Sequence, residues 1–249
     1  MGRFASTAQF YGRYREAYPS EFFRAVAVRL GLTGRERLVD AACGPAPLAI
    51  GFAPFVGSAV GVDTEPKMVA AAKVAAAEAG VRIELLEARI EDVGENLGSA
   101  DLVTIGRALH WLPRDGTLAV LDRMVAKNGW IAVCWSITSE APINRWAGAF
   151  HRIQLPWSSD PHGQRYRLRP ETWFDGSRFR KAGEIAVTQR RAVKIDDLIG
   201  RALSRSTTSP AVLGNRRREF ERALREGLKP FSRGGVLHEE IIARATIFQ

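Results

Sequence analysis

The chain has 249 residues, of which 46% are hydrophobic and 25% charged, a balance that suits a globular protein of one large or two small domains. Cys43 and Cys134 are too few for a disulfide framework and lack metal-ligand spacing, and the N-terminus has no long apolar core of the signal-peptide kind, so a reducing cytoplasm is the expected setting. The net charge of +9 is unevenly placed: residues 1–150 carry 16 basic and 16 acidic side chains, and 151–249 carry 20 and 11. That asymmetry fits an anionic ligand or nucleic acid near the C-terminal half, or else an arginine-rich solvated surface.

Taken in chain order, 5–17 and 20–30 look helical, the second with Ser20 as N-cap and apolar residues at helical spacing. Gly2 and Ser6 match the short myristoylation pattern, which arises easily by chance. RLVDA then reads as a strand, 46–54 as a helix, SAVGVD as a strand and PKMVAAAKVAAAEAG as a helix, with Pro66 in its first turn and Gly80 at its end. No charge interrupts 41–62, but Pro45, Pro47, Pro54 and four glycines break it, so it reads as buried strand–loop–helix–strand and not as a membrane span. VRIELLEA is a predicted strand, 92–99 a turn, ADLVTIG a strand, DGTLAVLDRMVA a helix and GWIAVCW a strand. Such alternation predicts an α/β fold, a doubly wound, mostly parallel sheet with helices on both faces.

Beyond residue 136 the rhythm changes. PINRWAGAFHRI looks helical, 154–183 lacks periodicity, EIAVTQRRAVKI reads as a strand, 195–229 as mostly helix and VLHEEIIARATIF as a final strand. There is no internal repeat and no low-complexity tail. We read one domain: entry helices over 1–30, a cofactor-binding core over 31–135, a substrate-side insertion over 136–183, and C-terminal strands and helices over 184–249.

Ligands of doubly wound sheets bind beyond the carboxyl ends of the strands, so the segment after the first strand carries the most information. LVDAACGPAPLAIGF fails the dinucleotide pattern G-x-G-x-x-G and lacks the Gly-Lys-Ser/Thr of a P-loop. What remains is Asp40, a tight small-residue turn around Gly44, and Asp63 at the end of the second strand. A carboxylate there is placed to accept hydrogen bonds from a ribose diol.

At this point the sequence resembles the class I S-adenosylmethionine-dependent methyltransferases, in particular the small-molecule branch with methyltransferase type 11 domains. Their first motif runs apolar-apolar-acidic-x-Gly-x-Gly-x-Gly, and LVDAACGPA matches it with Ala42 and Ala46 in place of the outer glycines. Alanine is comfortable only at negative φ, so the turn keeps its shape provided these positions are not left-handed. The resemblance implies a seven-stranded Rossmann-like sheet, S-adenosyl-L-methionine as cofactor, and Ala42 and Gly44 beside it. GVDTEPKMVAAA resembles the second-strand motif, implying Asp63 on the ribose, Thr64 next to it and Met68 near the adenine. ARIEDV places Ile90 and Glu91 at the adenine edge, and DLVTIGRALHWL places Gly106 and Arg107 at the methionine part. QFYGRYREAYP is similar to the family's Tyr-rich entry helix, which makes Tyr11 and Arg15 cofactor residues, Arg15 for the carboxylate. A weaker similarity through DDLIGRALSRS and the last strand makes the match nearly full length.

Methyl transfer from a sulfonium needs little acid or base, because the leaving group is neutral. His110, at the end of the fourth strand, is the candidate catalytic residue, either as a base or as a scaffold that holds its loop. His151, His162 and His238 have no assigned role. No HExxH or Cys/His cluster occurs, and Cys134-Trp135-Ser136 stands where the catechol branch has its magnesium residues, so no metal is expected. The Asn/Asp-Pro-Pro-Tyr/Phe motif of amino-directed nucleic-acid enzymes is replaced by Gly-Arg-Ala-Leu-His. Tyr14, Trp135, Trp146 and Trp173, with Trp157, offer flat surfaces for an aromatic, extended apolar or cationic acceptor, or anchor the insertion. Arg165, Arg167 and Arg169 alternate and would share one face of an extended segment, suited to an anion or to solvent.

The expected function is therefore methyl transfer to a small organic molecule, with nucleic acid and membrane not expected as partners. Two alternatives stay open: an RNA methyltransferase, or a cofactor-binding protein without transfer activity.

Overall fold

The computed structural model describes residues 6–160 and 169–249. In chain order the elements are α1 (Ala8–Tyr14), α2 (Ser20–Leu30), β1 (Arg37–Ala41), α3 (Pro47–Phe52), β2 (Ser58–Asp63), α4 (Pro66–Glu78), β3 (Glu84–Glu87), α5 (Ile90–Val93) and β4 (Ala100–Gly106). They continue as α6 (Arg114–Met124), β5 (Val125–Thr138), α7 (Ala147–Gln154), α8 (Pro170–Phe174), β6 (Lys181–Lys194), α9 (Ile195–Leu203), α10 (Pro210–Leu213), α11 (Arg217–Leu228) and β7 (Val236–Phe248). Short 3₁₀ turns join several of them. No helix among the described residues is long and apolar enough to cross a membrane.

The sheet has seven strands in the order β3-β2-β1-β4-β5-β7-β6. β1 pairs in parallel with β2 and β4, β2 with β3, and β4 with β5. Reciprocal bonds between Arg180 and Gln249, and an Ile195 amide donating to the Gly235 carbonyl, set β6 and β7 antiparallel. The sheet is thus mixed and mostly parallel, as expected. The chain winds outward from β1 to β3 and then returns to β4 on the other side of β1. That reversal opens a crevice at the carboxyl ends of β1 and β4.

The described chain divides into two compact units. The larger contains residues 18–136, the described part of 164–187, and 243–249. Here side chains alternate between two buried faces, as the pleat requires. Val39, Val60, Val103, Ile105 and Ile131 pack with Val120, Leu121 and Met124 of α6. Leu38, Ala59, Leu102 and Ala132 pack on the other face with Phe22 and Phe23 of α2 and with Leu48 and Phe52 of α3. A parallel sheet covered on both faces needs strands that are apolar at every position, which is why β1 and β2 are buried almost throughout. Each fully buried phenylalanine here contributes roughly 1.5–3 kcal/mol.

The smaller unit contains the described parts of 1–17 and 137–163, together with 188–242. Its core gathers Trp146 and Phe150 from α7, Leu198 and Ile199 from α9, Phe220, Leu224 and Leu228 from α11, and Leu237 from β7.

Several local expectations need correction. Pro19, not Ser20, is the N-cap of α2; Ser20 is its first helical residue, and its hydroxyl donates to Glu21. β3 shrinks to four residues, and the stretch after it forms α5 and a 3₁₀ turn where a plain turn was expected. β5 is longer at both ends than GWIAVCW and begins directly where α6 stops.

Candidate functional site

The loop after β1 is a tight turn: the Ala46 amide donates to the Cys43 carbonyl at 2.9 Å, and the Cys43 amide to the Val62 carbonyl of β2 at 3.0 Å. Ala42, Gly44 and Ala46 have φ of 53°, 56° and 56°. Both alanines are therefore left-handed, against the condition under which alanine was expected to be harmless. A Cβ at such a φ costs roughly 1–2 kcal/mol per residue. Two carboxylates stand beside this turn, one bonded to its Gly44 amide and one to the start of α3.

Asp63, at the end of β2, is the first of these. Its Oδ2 accepts the Gly44 amide at 2.8 Å and its Oδ1 accepts the Glu65 amide at 2.9 Å. Burial raises its pKa, while these two amides pull it back down. Asp40, only 1% exposed, is the second. It accepts the Thr104 hydroxyl at 2.8 Å on Oδ1 and the Ala49 amide, from α3, at 3.3 Å on Oδ2. Burial is the main cause that pushes its pKa up to about 7, and the charge of Asp63 adds to the rise. A Cβ placed on Gly44 would meet nothing within 4 Å, so one side of the turn is open space.

The end of β4 faces the same crevice. Arg107 follows Gly106 with φ 56°, its amide donating to the Cys134 carbonyl at 2.9 Å. Its Nε donates to the Tyr18 hydroxyl at 3.4 Å, and its guanidinium carbon lies 4.9 Å from the Tyr18 ring centre. Among the described residues, the non-glycine positions with positive φ are Ala42, Ala46 and Arg107. All three sit on the loops after β1 and β4, the two strands that flank the reversal. Backbone strain persists where surrounding structure enforces it, and it collects at functional sites.

The remaining expected residues of this unit are placed as follows. Thr64 is exposed beside Asp63, whereas Met68 and Ile90 are each only 3% exposed. Glu91 is already engaged: it accepts the Thr117 hydroxyl of α6 at 2.5 Å and the Arg89 Nε at 3.3 Å. Glu91 thereby ties α5 to α6. His110 lies on the 3₁₀ turn Leu109–Trp111, its ring 4.8 Å from that of Trp111. Trp135 is half-buried against the core. Trp173 is 4% exposed and packs on Phe174, so it is a core anchor and not an acceptor surface. α8 is tethered to α6 by Arg114, which donates to the carbonyls of Trp173 and Asp175. Arg178 adds to this through Asp122 and the Val125 carbonyl.

In the smaller unit, Tyr11 and Tyr14 lie on α1 and Arg15 directly follows it, its guanidinium carbon 4.9 Å from the Tyr11 ring centre. Trp146 is 1% exposed and its Nε1 donates to the His238 carbonyl at 3.0 Å, so it too is core. Trp157 is partly buried, with Arg216 stacked 4.4 Å from its ring centre. Gly2, His162, Arg165 and Arg167 lie outside the described residues. Sequence reasoning missed Tyr18, the Asp40–Thr104 bond, and a buried Arg201–Glu239 pair. For the pair a signal existed: each residue interrupts an otherwise apolar, inward-facing pattern, and a charge there needs a partner.

Residues 38–129 match the methyltransferase-domain family. No curated protein matches the chain by sequence. Among solved structures, the chain is similar to a candidate type II methyltransferase from Anaeromyxobacter dehalogenans, with TM-score 0.65, 17% identity, and coverage of 94% of this chain and 97% of that one. A candidate methyltransferase from Bacillus halodurans superposes with TM-score 0.56 and 16% identity, over 92% and 98% of the two chains. A candidate sarcosine dimethylglycine methyltransferase from Galdieria sulphuraria does so with TM-score 0.51 and 13% identity, over 92% and 84%. Residues 38–129 thus match a methyltransferase domain, and the chain shares the fold of these methyltransferases.

Proposed function

We propose that this methyltransferase binds S-adenosyl-L-methionine at the carboxyl ends of β1, β2 and β4 and transfers its methyl group to a small organic molecule, without a metal. The observation that carries the reading is the strained pair of loops at the strand reversal, built around Ala42, Gly44, Ala46 and Arg107. The open side of Gly44 leaves room for a ligand against backbone. Asp63, fixed by the Gly44 and Glu65 amides, is the carboxylate proposed to accept the ribose hydroxyls.

When bound, the cofactor supplies a methyl group activated on a sulfonium whose departure is neutral. The protein's work is then to bind, orient and exclude water, and orientation of this kind is worth roughly 7–11 kcal/mol in favourable cases. Arg107 places a fixed positive charge at the end of β4, and Tyr18 holds that side chain. His110 either takes a proton from the acceptor or fixes the loop after β4. Tyr11 and Arg15 are proposed as cofactor residues on the resemblance of their segment to the entry helix alone. Trp135 remains as the proposed acceptor surface of this unit, since Trp173 is core.

Titration calorimetry with S-adenosylmethionine, its demethylated product and NAD tests the proposal. Binding of the first two and not of NAD is the expected result. NAD binding alone overturns it, and binding without turnover across varied acceptors leaves a cofactor-binding protein.

A further inference from the structure

At the amino ends of β1, β2 and β3 the larger unit holds a cleft of about 640 Å³, a volume within the range of small-molecule sites. It is lined by the first residue of each strand, Arg37, Ser58 and Glu84. Lys73 from α4 and Arg82, just before β3, line it too. The crevice at the turn after β1 lies at the other end of the same strands, since the rise from Arg37 to Ala41 is roughly 13 Å.

The cleft stays open because several residues that line it are short. Gly57, Ala59, Ala76 and Ala77 stand where longer apolar side chains would fill the space. Val81 and Ile83 add apolar surface. The last turn of α4 also lies here, and helix C-terminal carbonyls repel anions when left bare. These are capped: the Val81 amide donates to the Ala76 carbonyl at 3.0 Å and the Gly80 amide to that of Ala77 at 3.1 Å.

The charges in the cleft do not balance. Arg37, Lys73 and Arg82 supply three positive charges and Glu84 one negative, a surplus of two. Among the described residues none of the three cations forms an ion pair. Asp101 accepts the Arg37 amide at 2.8 Å and not its guanidinium. The Arg37 Nε is buried, with no hydrogen-bond partner among the described residues. Buried donors are nearly always satisfied, by the protein or by what it binds.

We infer that this cleft binds a phosphate monoester carried on a compact apolar or planar body. Such a group holds nearly two negative charges at neutral pH, which the surplus of two matches. Arg37 offers its oxygens a planar fork, Lys73 a mobile point charge and Ser58 a hydroxyl donor. The short apolar residues leave room for the body. None of these residues belongs to the crevice at the carboxyl ends, so the inference does not depend on the cofactor reading.

Calorimetry with phenyl phosphate, inorganic phosphate and phenol tests it, with melting curves to establish that each variant is folded. Phenyl phosphate is expected to bind, inorganic phosphate roughly tenfold more weakly for want of apolar contact, and phenol not detectably. Ala77→Leu fills the cleft from an exposed position of α4 without altering a charge, and leucine suits a helix; it is expected to lose most of the binding. Arg37→Gln should weaken phenyl phosphate roughly tenfold or more, the scale of hydrogen bonds to a charged group. Lys73→Ala, at an exposed site, should weaken it roughly twofold to fivefold. Arg24→Ala removes an exposed charge of α2 that does not line the cleft and should change nothing. Wild-type affinity in both Ala77→Leu and Arg37→Gln overturns the site, as does an equal loss in Arg24→Ala or no binding by the wild type. Inorganic phosphate or phenol binding as tightly as phenyl phosphate overturns the ligand class. Should Arg37→Gln not fold, Ala77→Leu and Lys73→Ala decide.

Discussion

The Asp63 carboxylate accepts the Gly44 amide at 2.8 Å, joining the end of β2 to the turn after β1. One side chain thus shapes the loop and keeps lone pairs for a ligand. Asp63→Ala is expected to weaken S-adenosylmethionine binding by roughly 1.5–3 kcal/mol, the range for hydrogen bonds to a charged group. It should also lower the melting temperature, because the Gly44 and Glu65 amides both lose an acceptor. Calorimetry beside thermal melts checks this; unchanged affinity in a destabilised variant would leave Asp63 a loop brace only.

The two left-handed alanines differ in burial, and that decides the sign of their replacement. Ala42→Gly relieves roughly 1–2 kcal/mol of strain and adds about 0.4–1 kcal/mol of unfolded-chain entropy. A net gain between about zero and about 1.6 kcal/mol is expected. Ala46 is fully buried, and losing its methyl costs a further ~0.8 kcal/mol, so Ala46→Gly should be near neutral. Cofactor affinity should hold or improve in both. A clear drop in melting temperature for Ala42→Gly would show that its methyl packs productively.

Asp40 makes stability pH-dependent. Its folded pKa, pushed up to about 7, lies above its ordinary 3.8, so the folded state holds the proton more tightly than the unfolded chain. Its contribution is therefore complete below about pH 4 and is lost as pH rises to about 7, with a slope approaching roughly 1.4 kcal/mol per pH unit. Asp63, also raised, acts in the same direction. Asp40→Asn is expected to flatten the fall in melting temperature between about pH 4 and 7, leaving the Asp63 part. An identical pH profile for wild type and variant would contradict this.

His110→Asn separates the two roles of that residue. If it is a base for an acceptor that must lose a proton, turnover at saturating cofactor should fall roughly 10²–10⁴-fold with affinity nearly unchanged. If it is a scaffold for the turn at Leu109–Trp111, affinity and melting temperature should fall together, with turnover following in proportion. We expect the scaffold outcome, since sulfonium chemistry leaves a base little to do. Full turnover in the variant would mean an acceptor that needs no base.

Periodicity and punctuation in the sequence sufficed for the elements that position the site. SAVGVD, ADLVTIG and VLHEEIIARATIF match β2, β4 and β7 residue for residue, because a strand buried on both faces shows a continuous apolar run and an alternating one shows its inward set. The order of those elements also determined the placement of the loop after β1, of Asp63 and of Arg107 at strand ends. The tertiary structure decided what no local pattern encodes. Alanine is written the same way whether its φ is negative or 53°, and the left-handed form belongs to the folded turn, whose Gly44 amide Asp63 holds. Trp146 and Trp173 are equally ambiguous in sequence, and packing partners from distant segments made them core. Arg201 and Glu239 are 38 residues apart; each is visible alone as a charge in an apolar pattern, but the desolvation that forces them together exists only once α9 and β7 have folded.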